Sequence, residues 1–185
     1  MTIVGLLNPG AMGASLGAAA LTNVEEVLWT SEGRSDATRI RAEKAGLTNA
    51  GSFADLVDAS ELILSVCPPA SALELANEVF SLGFKGTYVD CNAIAPEQTR
   101  AIAEIASNKG ARLVDGGIIG GPAWQAAAGT KLWLSGPDIS EVTALFEHSP
   151  LHTGVAGSEI GAASALKMCF AAFTKGSTAL LAAVL

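Results

Sequence analysis

The sequence predicts an α/β chain: a doubly wound sheet with helices on both faces, followed by the first long helix of an all-helical segment. Three observations carry that prediction. The chain opens with a strand, a glycine turn and a helix: Thr2 to Leu7, then Asn8-Pro9-Gly10-Ala11-Met12-Gly13, then Ala14 to Leu21. Short apolar runs then alternate with helical stretches, giving about eight strands in all. Near Ser158 the alternation gives way to one apolar helix running toward Leu185.

The opening turn is the most informative stretch. Thr2 to Leu7 is apolar, partly β-branched and uncharged, as a strand buried on both faces must be. The amides at the start of the following helix have no partners within the helix and lie at the positive end of its dipole, so they attract a phosphate. Gly10 lets a pyrophosphate approach the backbone, and Gly13 lets the helix pack close to the strand. Asn8 stands where the G-x-G-x-x-G fingerprint has its first glycine, and Asn tolerates a left-handed backbone. The alternative is an ordinary strand-to-helix turn.

Composition narrows the function classes. The 185 residues are 50% hydrophobic and only 5% aromatic, with 20 glycines, which suits closely packed α/β layers. A net charge of −7 argues against a nucleic-acid partner. Cys67, Cys91 and Cys169 are far apart and form no CxxC, so they read as reduced thiols of a cytoplasmic protein. No signal peptide and no membrane span are recognisable. His148 and His152 are separated by Ser149-Pro150 and have no third ligand, so no metal site is expected.

The elements follow in order. Glu26 to Thr30 is a second strand, and Asp36 to Ala45 a helix closed by Gly46. Between them, Arg34 and Ser35 stand where an acidic residue would take the ribose of NAD. A guanidinium and a hydroxyl there suit a 2′-phosphate, which favours NADP(H), with NAD(H) and a solvated Arg34 as the alternatives. Leu47 to Ala50 reads as a small strand, and Ser52 to Ala59 as a helix with a Ser52/Asp55 capping box. The strand Glu61 to Val66 stops at Cys67-Pro68-Pro69, a rigid loop where a ribose or nicotinamide would lie. Cys67 itself reads first as a small buried residue. A helix spans Ala70 to Leu82, and a strand Gly86 to Cys91 leads to Asn92 and to a helix with Pro96 at its first position.

The strand Arg112 to Asp115 runs into Gly116-Gly117-Ile118-Ile119-Gly120-Gly121. So many glycines at a strand end predict a loop whose amides hold a substrate carboxylate, or else a turn without function. Strands at Thr130 to Ser135 and Leu151 to Val155 flank a short helix capped by Asp138 or Ser140. Ser158 is expected to cap the last helix, which carries Lys167 among Ala, Leu, Met, Cys and Phe. A lysine there is costly unless paired or used, because burial favours its neutral form; the alternative is a side chain snorkelling to the surface. These boundaries give a nucleotide-binding domain over 1–157 and the start of a helical domain over 158–185.

The pattern resembles the 3-hydroxyacid dehydrogenase family, relatives of 6-phosphogluconate dehydrogenase with a Rossmann-type domain. Asn8 to Gly13 resembles the family's GLGxMG turn, and Gly33-Arg34-Ser35 its N-R-S/T element. Asp90 to Pro96 is similar to D-x-S-T-x-x-P, Asp115 to Gly121 to D-A-P-V-S-G-G, and Gly161 to Lys167 to the catalytic helix G-x-x-x-x-x-K. The resemblance implies an NADP(H)-dependent oxidoreductase acting on a small hydroxy acid, alcohol or carbonyl. It implies Lys167 as proton relay, cofactor contacts from Asn8 through Gly13, Arg34, Ser35, Cys67, Pro68 and Asn92, and substrate contacts from Asn92, Ile119, Gly120 and Gly121. It also implies a homodimer formed through the helical C-terminal segment. Three departures stand out: Asn92 for a serine, Ile119 for the loop serine, and Phe170-Ala171 for two asparagines. They leave open C=N reduction, which Lys167 counts against, and nucleotide binding without turnover.

Overall fold

A computed structural model describes residues 2–184. Its strands are β1 (Val4–Leu7), β2 (Val27–Trp29), β3 (Thr48–Asn49), β4 (Leu62–Ser65), β5 (Thr87–Asp90), β6 (Arg112–Ile119), β7 (Lys131–Ser135) and β8 (His152–Gly157). Its helices are α1 (Ala11–Ala20), α2 (Asp36–Lys44), α3 (Phe53–Ala59), α4 (Ala72–Ser81), α5 (Pro96–Asn108), α6 (Ser140–Leu145) and α7 (Ala162–Val184). The strands form one sheet in the order β3-β2-β1-β4-β5-β6-β7-β8. Every neighbouring pair is parallel except β6 and β7.

Strand alternation divides the core between the two faces of the sheet. Leu6, Leu64, Val89 and Val114 lie on one face, with α1 and α6 residues against them. Leu7, Ile63, Tyr88 and Leu113 lie on the other, packed against α3, α4 and α5. The chain reverses its direction of growth between β1 and β4, and such a switch point opens a crevice beyond the strand tips. There Leu7, Ser65, Asp90 and Asp115 stand side by side on β1, β4, β5 and β6.

Most predicted elements are present within a residue or two. The Ser52/Asp55 capping box is formed, and Gly46 takes the left-handed conformation (φ 76°) that ends α2. Three boundaries differ. Helix α1 begins at Ala11, directly after Gly10, rather than at Ala14. Strand β6 continues through Gly116 and Gly117 to Ile119, because antiparallel β7 pairs with it along that length. Helix α7 begins at Ala162, so Ser158 is not its cap. No helix among the described residues is long and apolar enough to cross a membrane.

Candidate functional site

The switch point holds a cleft of about 500 Å³ lined by Asn8, Gly10, Arg34, Thr38, Pro68 and residues of α4. Asn8 takes the left-handed backbone expected of it, at φ 63°. That turn lets the Gly10 amide donate to the Asn8 carbonyl (2.7 Å) and delivers the chain into α1. Gly10 is the N-cap and offers no side chain, so the first amides of α1, at Ala11 and Met12, keep their affinity for an anion. A Cβ on Gly10 would meet no protein atom within 4 Å, so the space in front of that glycine is open to the cleft. A Cβ on Gly13 would collide with the Asn8 carbonyl, so the start of α1 closes on the Asn8 turn only with a glycine there. The Pro9 carbonyl accepts from the Arg41 guanidinium of α2 (3.1 Å), which braces the turn.

Arg34 stands between this cleft and an adjoining hollow of about 220 Å³ beside Thr30, Glu32 and Phe53. Its Nε is buried without a partner, as is Asn8 Oδ1. Arg34 forms none of the ion pairs found among the described residues. Buried polar atoms lacking partners are rare because each costs a lost hydrogen bond. The Arg34 Nε–H beside a helix N-terminus fits a dinucleotide phosphate, whereas Asn8 Oδ1, an acceptor, fits a hydroxyl donor such as that of a ribose. Ser35 is exposed on the same loop, and its hydroxyl accepts from the Thr38 amide (3.4 Å) and caps α2.

Asn92 is corrected as a direct contact. It is 2% exposed, its Oδ1 accepts from the Cys67 amide (2.6 Å) and its Nδ2 donates to Ser65 Oγ (3.0 Å). With Oδ1 and one Nδ2 hydrogen engaged inside the protein, it braces the Cys67-Pro68 loop. The Cys67 thiol is half-buried and pushed up to about 11, by burial first and then by the Asp90 carboxylate, which makes it a poor nucleophile. Asp90 is 1% exposed; Oδ1 accepts from the Asn92 amide (2.8 Å) while Oδ2 has no partner. Burial raises its pKa to about 6, with Asp115 adding to the shift.

The predicted anion loop is also corrected. Gly116 and Gly117 are strand residues whose backbone pairs with Leu134 and Trp133. What comes close to Gly117 is α7: a Cβ there would lie 2.6 Å from the Ala163 carbonyl and 3.2 Å from Lys167 Cβ. Only Gly120 (φ 130°) and Gly121 remain as a turn after Ile119, and the Gly121 carbonyl accepts from Thr130 Oγ1 (2.7 Å). Lys167 is half-buried on α7, over β6. None of Lys167, Asn92, Ile119, Gly120 and Gly121 lines the 500 Å³ cleft. Of the residues expected to hold the cofactor, Asn8, Gly10, Arg34 and Pro68 line that cleft.

Asp115 is the residue that sequence reasoning missed. Its carboxylate is fully buried and receives the first amides of α7 together with two serine hydroxyls. The only signal was an aspartate at a strand end, and its partners lie 20 to 49 residues downstream. No group of three His, Cys, Asp or Glu side chains among the described residues could hold a metal ion.

An open helix N-terminus at the switch point of such a sheet defines a dinucleotide-binding domain. Residues 2–149 match the NAD-binding domain of 6-phosphogluconate dehydrogenase, and the chain belongs to that family. An uncharacterised 28.5 kDa protein of Methanothermus fervidus is 32% identical over 156 residues, covering 84% of this chain and 59% of that protein. A conserved protein of unknown function, described as structurally similar to 3-hydroxyacid dehydrogenases, superposes with a TM-score of 0.80 at 30% identity, covering 97% of this chain and 67% of its own. A reductive aminase from Aspergillus terreus, in complex with NADPH4, cyclohexanone and allyl amine, gives 0.78 at 21% identity, with 96% and 62% covered. The chain thus spans about three fifths to two thirds of the length of these relatives.

Proposed function

We propose that this chain is the nucleotide-binding part of an NADP(H)-dependent oxidoreductase that interconverts a small alcohol or hydroxy acid and its carbonyl. The observation that carries the reading is the unpartnered buried Arg34 Nε–H on one cleft with the uncapped start of α1, two sets of donors without an acceptor. The α1 amides and Arg34 would hold the phosphates, and Pro68 would wall the cofactor toward the strand tips. A bound nicotinamide supplies the hydride acceptor or donor.

Lys167 is the proton relay in this reading. It forms no ion pair among the described residues. Its pKa is lowered, by burial first and then by the Lys175 charge, which eases release of a proton to a substrate oxygen. The exposed apolar side chains of α7, Phe170, Phe173, Leu180 and Leu181 among them, support a homodimer.

The test is calorimetric titration of NADPH and NADH, followed by turnover on β-keto acids and cyclic imines. Arg34→Ala should weaken NADPH by at least about 10-fold and leave NADH nearly unchanged. Lys167→Ala should abolish turnover with NADPH affinity intact, and the preparations should sediment as dimers. Equal loss of both cofactors removes the NADP assignment, retained turnover removes the relay, and a monomer removes the dimer. Consumption of NADPH with imines alone would move the reading to C=N reduction.

A further inference from the structure

We propose that Asp115 is a positioning residue: its buried carboxylate fixes the start of α7 against the middle of β6 and so sets where Lys167 stands. The inference rests on the reading of Lys167 given above, but its test does not require turnover.

The geometry is that of a helix cap supplied by another element. Asp115 Oδ2 accepts from the amides of Gly161 (2.9 Å), Ala163 (3.1 Å) and Ser164 (3.1 Å), and from Ser135 Oγ (2.8 Å). Its Oδ1 accepts from Ser164 Oγ (2.6 Å). An ionised carboxylate in the interior is costly unless many donors surround it, and here five do. Three are helix-start amides, so the carboxylate also meets the positive end of the α7 dipole. The clamp extends sideways. Ser135 Oγ accepts from the Ala163 amide (3.0 Å), and Ser164 Oγ lies 2.8 Å from Thr99 Oγ1 on α5. Since the Ser164 hydrogen goes to Asp115, Thr99 is the donor of that last bond.

A second contact fixes the distance between helix and strand. Gly117 lies two residues past Asp115 and has Ala163 and Lys167 directly against its Cα, where no Cβ fits. Lys167 is four residues beyond Ala163, one turn and about 6 Å along the same helix. A rigid turn therefore connects the carboxylate to the lysine. The charged groups on the elements packed against α7 are Arg112 and Asp115 on β6, Lys131 on β7, His152 on β8, and Glu97, Arg100 and Glu104 on α5. None pairs with Lys167 among the described residues. The surroundings of its amine are therefore set by how α7 is seated, not by a counter-ion.

The experiment follows the Lys167 amine directly, by NMR titration of protein carrying 13C-labelled lysine. It compares wild type with Asp115→Ala, Asp115→Asn, Ser164→Ala and Gly117→Ala. In Gly117→Ala and Asp115→Ala the midpoint for Lys167 should rise toward that of an ordinary lysine, as α7 shifts and the amine hydrates. NADPH affinity should stay within about twofold, because Asn8, Gly10 and Arg34 lie on other elements. Where turnover is measurable, kcat should fall by about 100-fold with KM for NADPH unchanged, the scale expected of an ångström displacement. Asp115→Asn keeps an acceptor for the amides and should recover most of the wild-type midpoint. An unmoved midpoint in folded, NADPH-binding Gly117→Ala overturns the proposal, and that variant decides it alone if Asp115→Ala does not fold. Full turnover by Lys167→Ala would instead overturn the relay and leave the lysine titration to judge the positioning.

Discussion

Helix α1 begins just past Leu7 and α7 begins at Asp115, residues that lie in one row across the sheet, and the two N-termini are used in opposite ways. At α1 the cap is a glycine, no side chain meets the first amides, and two polar atoms nearby are buried without partners. At α7 the first amides are taken by a carboxylate that also gathers two hydroxyls. The glycines differ in the same sense. Gly10 has nothing within 4 Å of its missing Cβ, whereas Gly117 has the helix itself. A helix start calls for negative charge in either case. Where the sequence supplies the charge, the helix becomes a fixed support; where it withholds it, a ligand phosphate can take the place.

The strongest way to break this contrast is to give α1 the carboxylate that α7 has. Gly10→Asp has room for its Cβ and places an acid at the N-cap, where aspartate is among the preferred residues. The fold should therefore keep its stability or gain a few tenths of a kcal/mol in urea denaturation. NADPH affinity should fall about 1000-fold, since a like charge facing the phosphate costs several kcal/mol. Tight NADPH binding by a folded Gly10→Asp protein would remove the α1 terminus from the cofactor site.

A smaller effect lies between the two helices, at Asp90. It stands beside Asp115 in the sheet, yet one of its oxygens has no partner. Its folded pKa, about 6, lies above the ordinary 3.8, so the folded state favours the neutral form. That contribution to stability is complete below about pH 4 and is lost as pH rises through 6. Asp90→Asn makes the neutral form permanent and keeps an acceptor for the Asn92 amide. At pH 8 it should be more stable than wild type by roughly 2–3 kcal/mol, and the two should converge below pH 4. Denaturation midpoints across that range decide the matter; a constant difference would place the titration elsewhere.

The contrast also explains what could be read from the sequence. The open terminus is local: Asn8, Gly10, Gly13 and the Pro96 start of α5 depend on residues within one turn, and spacing shows them directly. The sealed terminus is not. Ser158 carries a local capping signal, but the cap that wins is Asp115, 46 residues upstream of its first amide partner. Gly116 and Gly117 signalled close approach; Gly116 meets Cys91, Asp90 and Leu132, and the group that approaches Gly117 is α7, which no spacing rule places there. Asn92 looked like a ligand contact because polarity is visible in sequence, whereas its internal partners, Cys67 and Ser65, become visible only when β4 and β5 are side by side.

The smallest expected effect concerns Asn8, where the open terminus depends on backbone shape. At φ 63° a glycine is unstrained, an asparagine is tolerated, and an alanine pays for its Cβ. Asn8→Gly also deletes the buried Oδ1 that has no partner. Stability should therefore stay within about 0.5 kcal/mol of wild type, because the gain from removing that atom offsets the added freedom of the unfolded chain. Asn8→Ala should lose about 1–2 kcal/mol by the same urea denaturation. If the two variants are equally stable, the left-handed turn is not what holds Gly10 at the mouth of the cleft. If Asn8→Gly alone loses NADPH affinity, the Asn8 side chain is itself a phosphate or ribose contact, and the open terminus includes a side chain after all.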